Sequence, residues 1–148
     1  MIPPFNENSF LPPGIHSATL IEFKERFVYG VKRPIIFEGL LRLISDLKEI
    51  GCNVVYVDGS YVSSKERPND VDVCWELTDD PAFMLYAKQK HPILFMMKGK
   101  RPEQQHKYCA DVFPANIKEG ASGIMFLDYF QRIRNTNEPK GIIKIELI

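Results

Sequence analysis

Asp70 and Asp72 stand two residues apart in the run Asp70-Val71-Asp72-Val73-Cys74-Trp75. On a β-strand that spacing sends both side chains out of one face, within reach of each other. Carboxylates so placed repel, and either a shared proton or bound divalent cations relieve them. The shared proton would make an acid–base dyad. The upstream turn Gly59-Ser60 points the other way. Glycine lets a backbone approach a ligand closely, and exposed N–H groups beside a serine hydroxyl form a phosphate cradle. Phosphate next to carboxylates implies magnesium, or manganese, between them. Asp111, centred in the apolar run Cys109-Ala110-Asp111-Val112-Phe113, is a third carboxylate that a solvent-facing role explains poorly. If its strand lies beside that of Asp72, the three form a triad able to hold two metal ions about 3.5–4 Å apart. Asp70 and Asp72 are then ligands, and Asp111 is a ligand and the candidate general base.

These residues need elements to hold them. The Pro- and Asn-rich residues 1–15 read as an extended arm, and Thr19 with Glu22 has the form of a capping box opening a helix from about Ser17 to Tyr29. Pro34 opens a stronger helical pattern through Phe37, Leu40, Leu41, Ile44 and Leu47, which Gly51 stops. Residues 53–58 are β-branched and aromatic, and 71–77 alternate, so both read as strands. Asp80-Pro81 caps and starts a helix that His91-Pro92 ends. The run Ile93 to Lys98 has no clear period and fits either a buried strand or a helical turn. A third strand is predicted over Tyr108 to Phe113, a last amphipathic helix over Ser122 to Arg134, and a final strand over Ile142 to Leu147 after the turn at Asn137 to Gly141. That order predicts an α/β (α+β) fold, one mixed sheet flanked by helices.

Composition narrows the field. The 148 residues suit a single domain over 1–148, and 45% apolar with 26% charged residues is ordinary for a soluble globular chain. No apolar run reaches the ~18 residues of a spanning helix, and the start Met1 to Glu7 lacks a signal-peptide pattern, so a cytoplasmic location is expected. Nineteen Lys and Arg against nineteen Asp and Glu encode no global attraction to nucleic acid. Cys52, Cys74 and Cys109 are without zinc or disulfide spacing and read as small hydrophobes. His16, His91 and His106 are scattered and read as surface or capping residues. Trp75 reads as packing, and Ser63 and Ser64 as caps or phosphate contacts. Lys65 reads as a solvated turn charge or a contact to a β- or γ-phosphate. Lys98, Lys100, Arg101 and Lys107 form the one basic concentration, either a solvated face or a surface steering a polyanion such as RNA toward the carboxylates.

Gly59-Ser60, nine intervening residues and then Asp70-Val71-Asp72-Val73 resemble a superfamily signature. It consists of an apolar residue, Gly and Gly or Ser, then Asp–apolar–Asp–apolar. The superfamily is that of the nucleotidyltransferases, which includes DNA polymerase β and the minimal, antibiotic-modifying and toxin-type enzymes. Asp111 falls where its third carboxylate is expected. The stretches LPPGIHSATLIEFKERF and DGSYVSSKERPNDVDVCW are, further, similar to small bacterial and phage nucleotidyltransferase-like proteins of this length. The resemblance implies a catalytic and metal-binding triad of Asp70, Asp72 and Asp111, with Gly59, Ser60, Ser64 and Lys65 on the nucleotide. It also implies Mg2+ or Mn2+ as cofactor, a nucleoside triphosphate such as ATP as donor, and an RNA (tRNA) or protein acceptor. By analogy with toxin-type members, a toxin–antitoxin or phage-conflict role with an antitoxin partner follows, and a homodimer is the alternative source of additional substrate surface. Two other readings stand beside it: an inactive nucleotide-binding or regulatory module of the same fold, and a metal-dependent nuclease, against which the Gly-Ser cradle argues.

Overall fold

The computed structural model describes residues 1–95 and 101–147. Its five strands are β1 (Gly14–Ala18), β2 (Val54–Asp58), β3 (Val71–Trp75), β4 (Ala110–Pro114) and β5 (Gly141–Glu146). They form one sheet in the order β1-β5-β2-β3-β4. β1 runs parallel to β5 and β3 parallel to β4, while β2 is antiparallel to both of its neighbours, β5 and β3. The helices are α1 (Leu20–Phe27), α2 (Lys32–Glu49), α3 (Pro81–Lys90), α4 (Arg101–Tyr108) and the single turn α5 (Phe126–Tyr129). The fold is thus α/β with a mixed sheet, as the element order predicts. Among the described residues no helix is long and apolar enough to cross a membrane.

Strand alternation divides the side chains between two faces. Val55, Val57, Val71, Val73, Trp75, Val112, Ile143 and Ile145 point to the main core, where Phe23 and Phe27 of α1 and Ile36, Leu40, Leu43 and Leu47 of α2 cover them. The other face carries a smaller cluster of Tyr56, Cys74, Ala115, Phe126 and Ile142. The Thr19 capping box forms, with Glu22 N–H donating to Thr19 Oγ1 and Thr19 N–H to Glu22 Oε1, both at 3.1 Å. Asp80 caps α3 through Ala82 N–H at 3.0 Å, with Pro81 in first position. Trp75 is fully buried against Phe95, and the three cysteines are free.

The elements differ from expectation in four places. The extended arm runs into a strand the sequence does not predict, because Gly14 and Ile15 already pair with Gly141 and Ile142 in β1, and the first helix starts at Leu20 rather than Ser17. An edge strand that buries only Ala18 shows too little alternation to be recognised. Residues 101–107, where no element is predicted, form α4 together with Tyr108; its sequence RPEQQHKY is mostly polar, and Gln104 and Tyr108 do its burying. Tyr108 therefore ends a helix instead of starting β4. The predicted helix over 122–134 contracts to α5, since Phe126 and Phe130 both pack on Phe113, at 4.7 and 5.1 Å between centroids, and one turn suffices for that. Of the ambiguous run 93–98, Ile93 to Phe95 belong to a 3-10 turn, and residues 96–98 lie outside the described residues.

Candidate functional site

The site forms where β2 ends and β3 and β4 begin. In register, Asp58 faces Asp72 across the antiparallel pair, and Asp72 faces Asp111 across the parallel pair. Since Val57, Val71, Val73 and Val112 point into the main core, these aspartates leave the opposite face. Asp70, two residues before Asp72, joins them. Asp70, Asp72 and Asp111 each bring a carboxylate oxygen within 4.8 Å of the others. The three residues that the strand pattern assigns to a triad do meet.

Gly59 explains how the turn comes so close. Its φ of 80° lies in the left-handed region, and a Cβ there would run into the Asp72 carboxylate. Ser60 follows half-buried, its hydroxyl without a hydrogen-bond partner among the described residues, and its carbonyl accepts from Ser63 N–H at 3.2 Å and Ser63 Oγ at 2.6 Å. Ser64 is exposed and donates its N–H to Ser9 O at 3.1 Å. Lys65 is exposed, and its ammonium has no ion-pair partner among the described residues. Of the expected nucleotide contacts, Gly59 borders the triad at Asp72 and Ser60 follows it in the chain, while Ser64 and Lys65 make no hydrogen bond or ion pair to the triad among the described residues.

The electrostatics show an excess of negative charge. Burial, then the neighbouring Asp70 and Asp111, push the Asp72 carboxyl up to about 7. Asp58 is fully buried, and burial followed by the proximity of Asp72 raises its carboxyl well above the usual range. Its Oδ1 has no hydrogen-bond partner among the described residues, and Cys74 Sγ lies 3.8 Å from Oδ2. Lys140, just before β5, lowers the cost of charge at both positions. The remaining relief comes from α4. Arg101 donates from Nη2 to Asp70 Oδ2 at 2.9 Å and from Nε to Asp111 Oδ1 at 2.7 Å, and Gln105 Nε2 donates to the same two oxygens at 3.0 Å each.

Sequence reasoning assigned no role to Asp58, Gln105 or Arg33. Asp58 stands where the resembled signature has an apolar residue, and its only trace is a charge ending an apolar strand. Of the basic concentration, the two described members are engaged in different places. Arg101 is tied to the triad, Lys107 pairs with Asp46 at 2.8 Å, and Lys98 and Lys100 lie outside the described residues. A second acidic group, Asp46, Glu49 and His91, is already supplied with cations, since Lys107 contacts Asp46 and Lys90 contacts Glu49 at 3.1 Å. It ties α2, α3 and α4 together.

The triad has the donors a hard divalent cation takes: carboxylate oxygens from three residues and several negative charges on one face. A mixed α/β sheet with such an acidic cluster beside a glycine turn defines the class in structural terms. The model described as "Family of unknown function (DUF6932)" matches residues 3–146, and the chain belongs to that family. No curated protein and no solved structure matches the chain.

Proposed function

We propose that the protein is a magnesium- or manganese-dependent nucleotidyltransferase, moving a nucleotidyl group from a nucleoside triphosphate to an acceptor hydroxyl. The observation that carries this reading is the meeting of Asp70, Asp72 and Asp111 within 4.8 Å beside the Gly59 turn. Bound divalent ions would supply Lewis acidity to the acceptor oxygen and neutralise phosphate charge. The chain's own residues do the rest. The three aspartates would hold the ions, Gly59 leaves the approach open, and the Ser60 hydroxyl is free to donate to a phosphate oxygen. The bond from the acceptor oxygen to the α-phosphorus forms, the bond to the β-phosphate bridge breaks, pyrophosphate leaves, and Asp111 takes the acceptor proton. An RNA (tRNA) or protein acceptor, with a toxin–antitoxin setting, is supported by the resemblance alone.

The test is incubation with Mg2+ and each α-labelled nucleoside triphosphate, together with total tRNA and cell lysate, against the Asp70→Ala/Asp72→Ala protein. Label entering an RNA or protein band only with the native chain is expected. Equal absence of transfer from both proteins ends the reading. One observation favours a second reading, a nucleotide-binding regulatory module: Arg101 and Gln105 already bind one oxygen each of Asp70 and Asp111, contacts an entering cation would have to share or displace. Calorimetric titration separates them, because metal-dependent nucleotide binding that Asp72→Asn abolishes, with no product formed, identifies the module.

A further inference from the structure

Arg33, the second residue of α2, is fully buried. An arginine at such depth is ordinarily paired with a carboxylate. Here the guanidinium has no carboxylate partner among the described residues and instead binds four main-chain carbonyls. Nη1 donates to Phe27 O at 3.1 Å and Tyr61 O at 2.6 Å, and Nη2 to Ser63 O at 2.9 Å and Lys65 O at 2.5 Å. The rings of Tyr29 and Tyr61 lie 4.7 and 4.9 Å from its central carbon, and Tyr61 Oη donates back to Arg33 O at 2.8 Å.

Three of the four carbonyls belong to the chain immediately after Gly59-Ser60. The C=O and N–H of a trans peptide point in opposite directions, so drawing these carbonyls inward turns the N–H groups of Val62, Ser64 and Glu66 away from the guanidinium, that of Ser64 onto Ser9 O at 3.1 Å. A planar fork with fixed donors is suited to this task, whereas an ammonium on a flexible stem is not. The buried charge, with no anion paired to it among the described residues, also makes the potential over the loop more positive.

We propose that Arg33 is the positioning residue of the phosphate cradle, holding residues 59–65 in place beside the aspartates and favouring an anion on that loop. This rests on the nucleotidyltransferase reading of the site. It separates two functions, since the aspartates bind metal through β3 and β4, while the loop held by Arg33 binds the triphosphate.

The test uses the full chain with Arg33→Lys and Arg33→Met, titrated with Mn2+ alone and with Mn2+ plus a non-hydrolysable nucleoside triphosphate analogue. Amide hydrogen exchange is followed across residues 59–66. For Arg33→Lys, Mn2+ affinity should stay within about twofold of native, while analogue affinity falls about tenfold because one ammonium cannot span four carbonyls. Exchange should accelerate over 59–66 and remain unchanged in β3 and β4. Arg33→Met should lose more analogue affinity than Arg33→Lys. Equal losses for metal and analogue, or unchanged loop exchange, overturn the proposal. If neither variant folds, Tyr61→Phe, which deletes only the hydroxyl bond to Arg33 O, should give the same pattern at smaller size, and unchanged loop exchange in it overturns the proposal. Should the native chain bind Mn2+ but not the analogue, the nucleotide reading and the cradle role fall together, whereas faster loop exchange in Arg33→Lys would still establish the clasp.

Discussion

Asp72 is the residue on which stability and function pull in opposite directions. Its ordinary value is 3.8, and burial with Asp70 and Asp111 lifts it to about 7. Between those values the folded chain keeps a proton that the unfolded chain releases, so stability present below the lower value is lost as pH rises through the upper one. The metal-free protein should therefore melt at progressively lower temperature from about pH 4 to about pH 8. Asp72→Asn should flatten that decline and raise stability at pH 8 by about 0.5–2 kcal/mol, as removing a strained site residue commonly does, while abolishing Mn2+ binding. Thermal denaturation across pH together with calorimetry checks both halves, and a variant that is less stable at pH 8 contradicts the account. Arg101 is the counterpart. Its side chain is 62% exposed, so its two carboxylate contacts hold the site only weakly. Arg101→Gln should tighten Mn2+ binding about three- to fivefold, the size of an exposed ion pair worth up to ~1 kcal/mol. Weaker binding in that variant would show Arg101 supporting the site instead of competing for it.

At the scale of elements, α4 decides whether Asp111 and its neighbours are presented correctly. Gly39 of α2 lies so close to the end of α4 that a Cβ would meet the Tyr108 carbonyl. The seam is completed by Arg42 Nε donating to Lys107 O at 2.7 Å and Tyr108 Oη donating to Asp46 Oδ2 at 2.6 Å. From α4, buried Gln104 accepts Val112 N–H and donates to Ile93 O, each at 3.0 Å, which joins the helix to β4 one residue beyond Asp111. Gly39→Ala forces overpacking at this seam and should cost about 1–3 kcal/mol, with a parallel loss of Mn2+ affinity. Denaturant unfolding and calorimetry measure the two effects, and lost stability with full metal affinity would separate α4 from the site. The same element shows why patterning failed here. Its buried residues are a glutamine and a tyrosine chosen for hydrogen bonds, and a hydropathy period does not register them.

For the whole molecule, the sheet order brings together aspartates from residues 70 to 111 while β5, from the C-terminal part of the chain, separates β1 from β2. A metal bound only by the folded arrangement stabilises it by mass action. At a hundredfold excess over Kd this amounts to ~2.7 kcal/mol, or roughly 5–10 °C for a chain of this size. Mn2+ should produce that rise in the native protein and none in Asp72→Asn, which differential scanning calorimetry reads directly. An equal rise in both would place the ion elsewhere.

What the residues alone determine is local. Strand periodicity puts Asp70 and Asp72 on one face, the Thr19–Glu22 and Asp80-Pro81 signals start α1 and α3, and the Gly-Ser pair marks a turn beside the acidic strand. Each depends on neighbours a few residues apart and is legible in a single sequence. Tertiary structure decided the rest. Asp111 meets Asp72 only because β4 pairs with β3 in that register, and Arg101 reaches the triad only because a polar segment folds as α4 against α2. Asp58 becomes a buried carboxyl with one unpartnered oxygen once β2 pairs with β3, and Arg33 becomes a clasp once it gathers the carbonyls of Tyr61, Ser63 and Lys65. Such pairings set partners tens of residues apart, and no short spacing encodes the burial that turns a surface charge into a structural one.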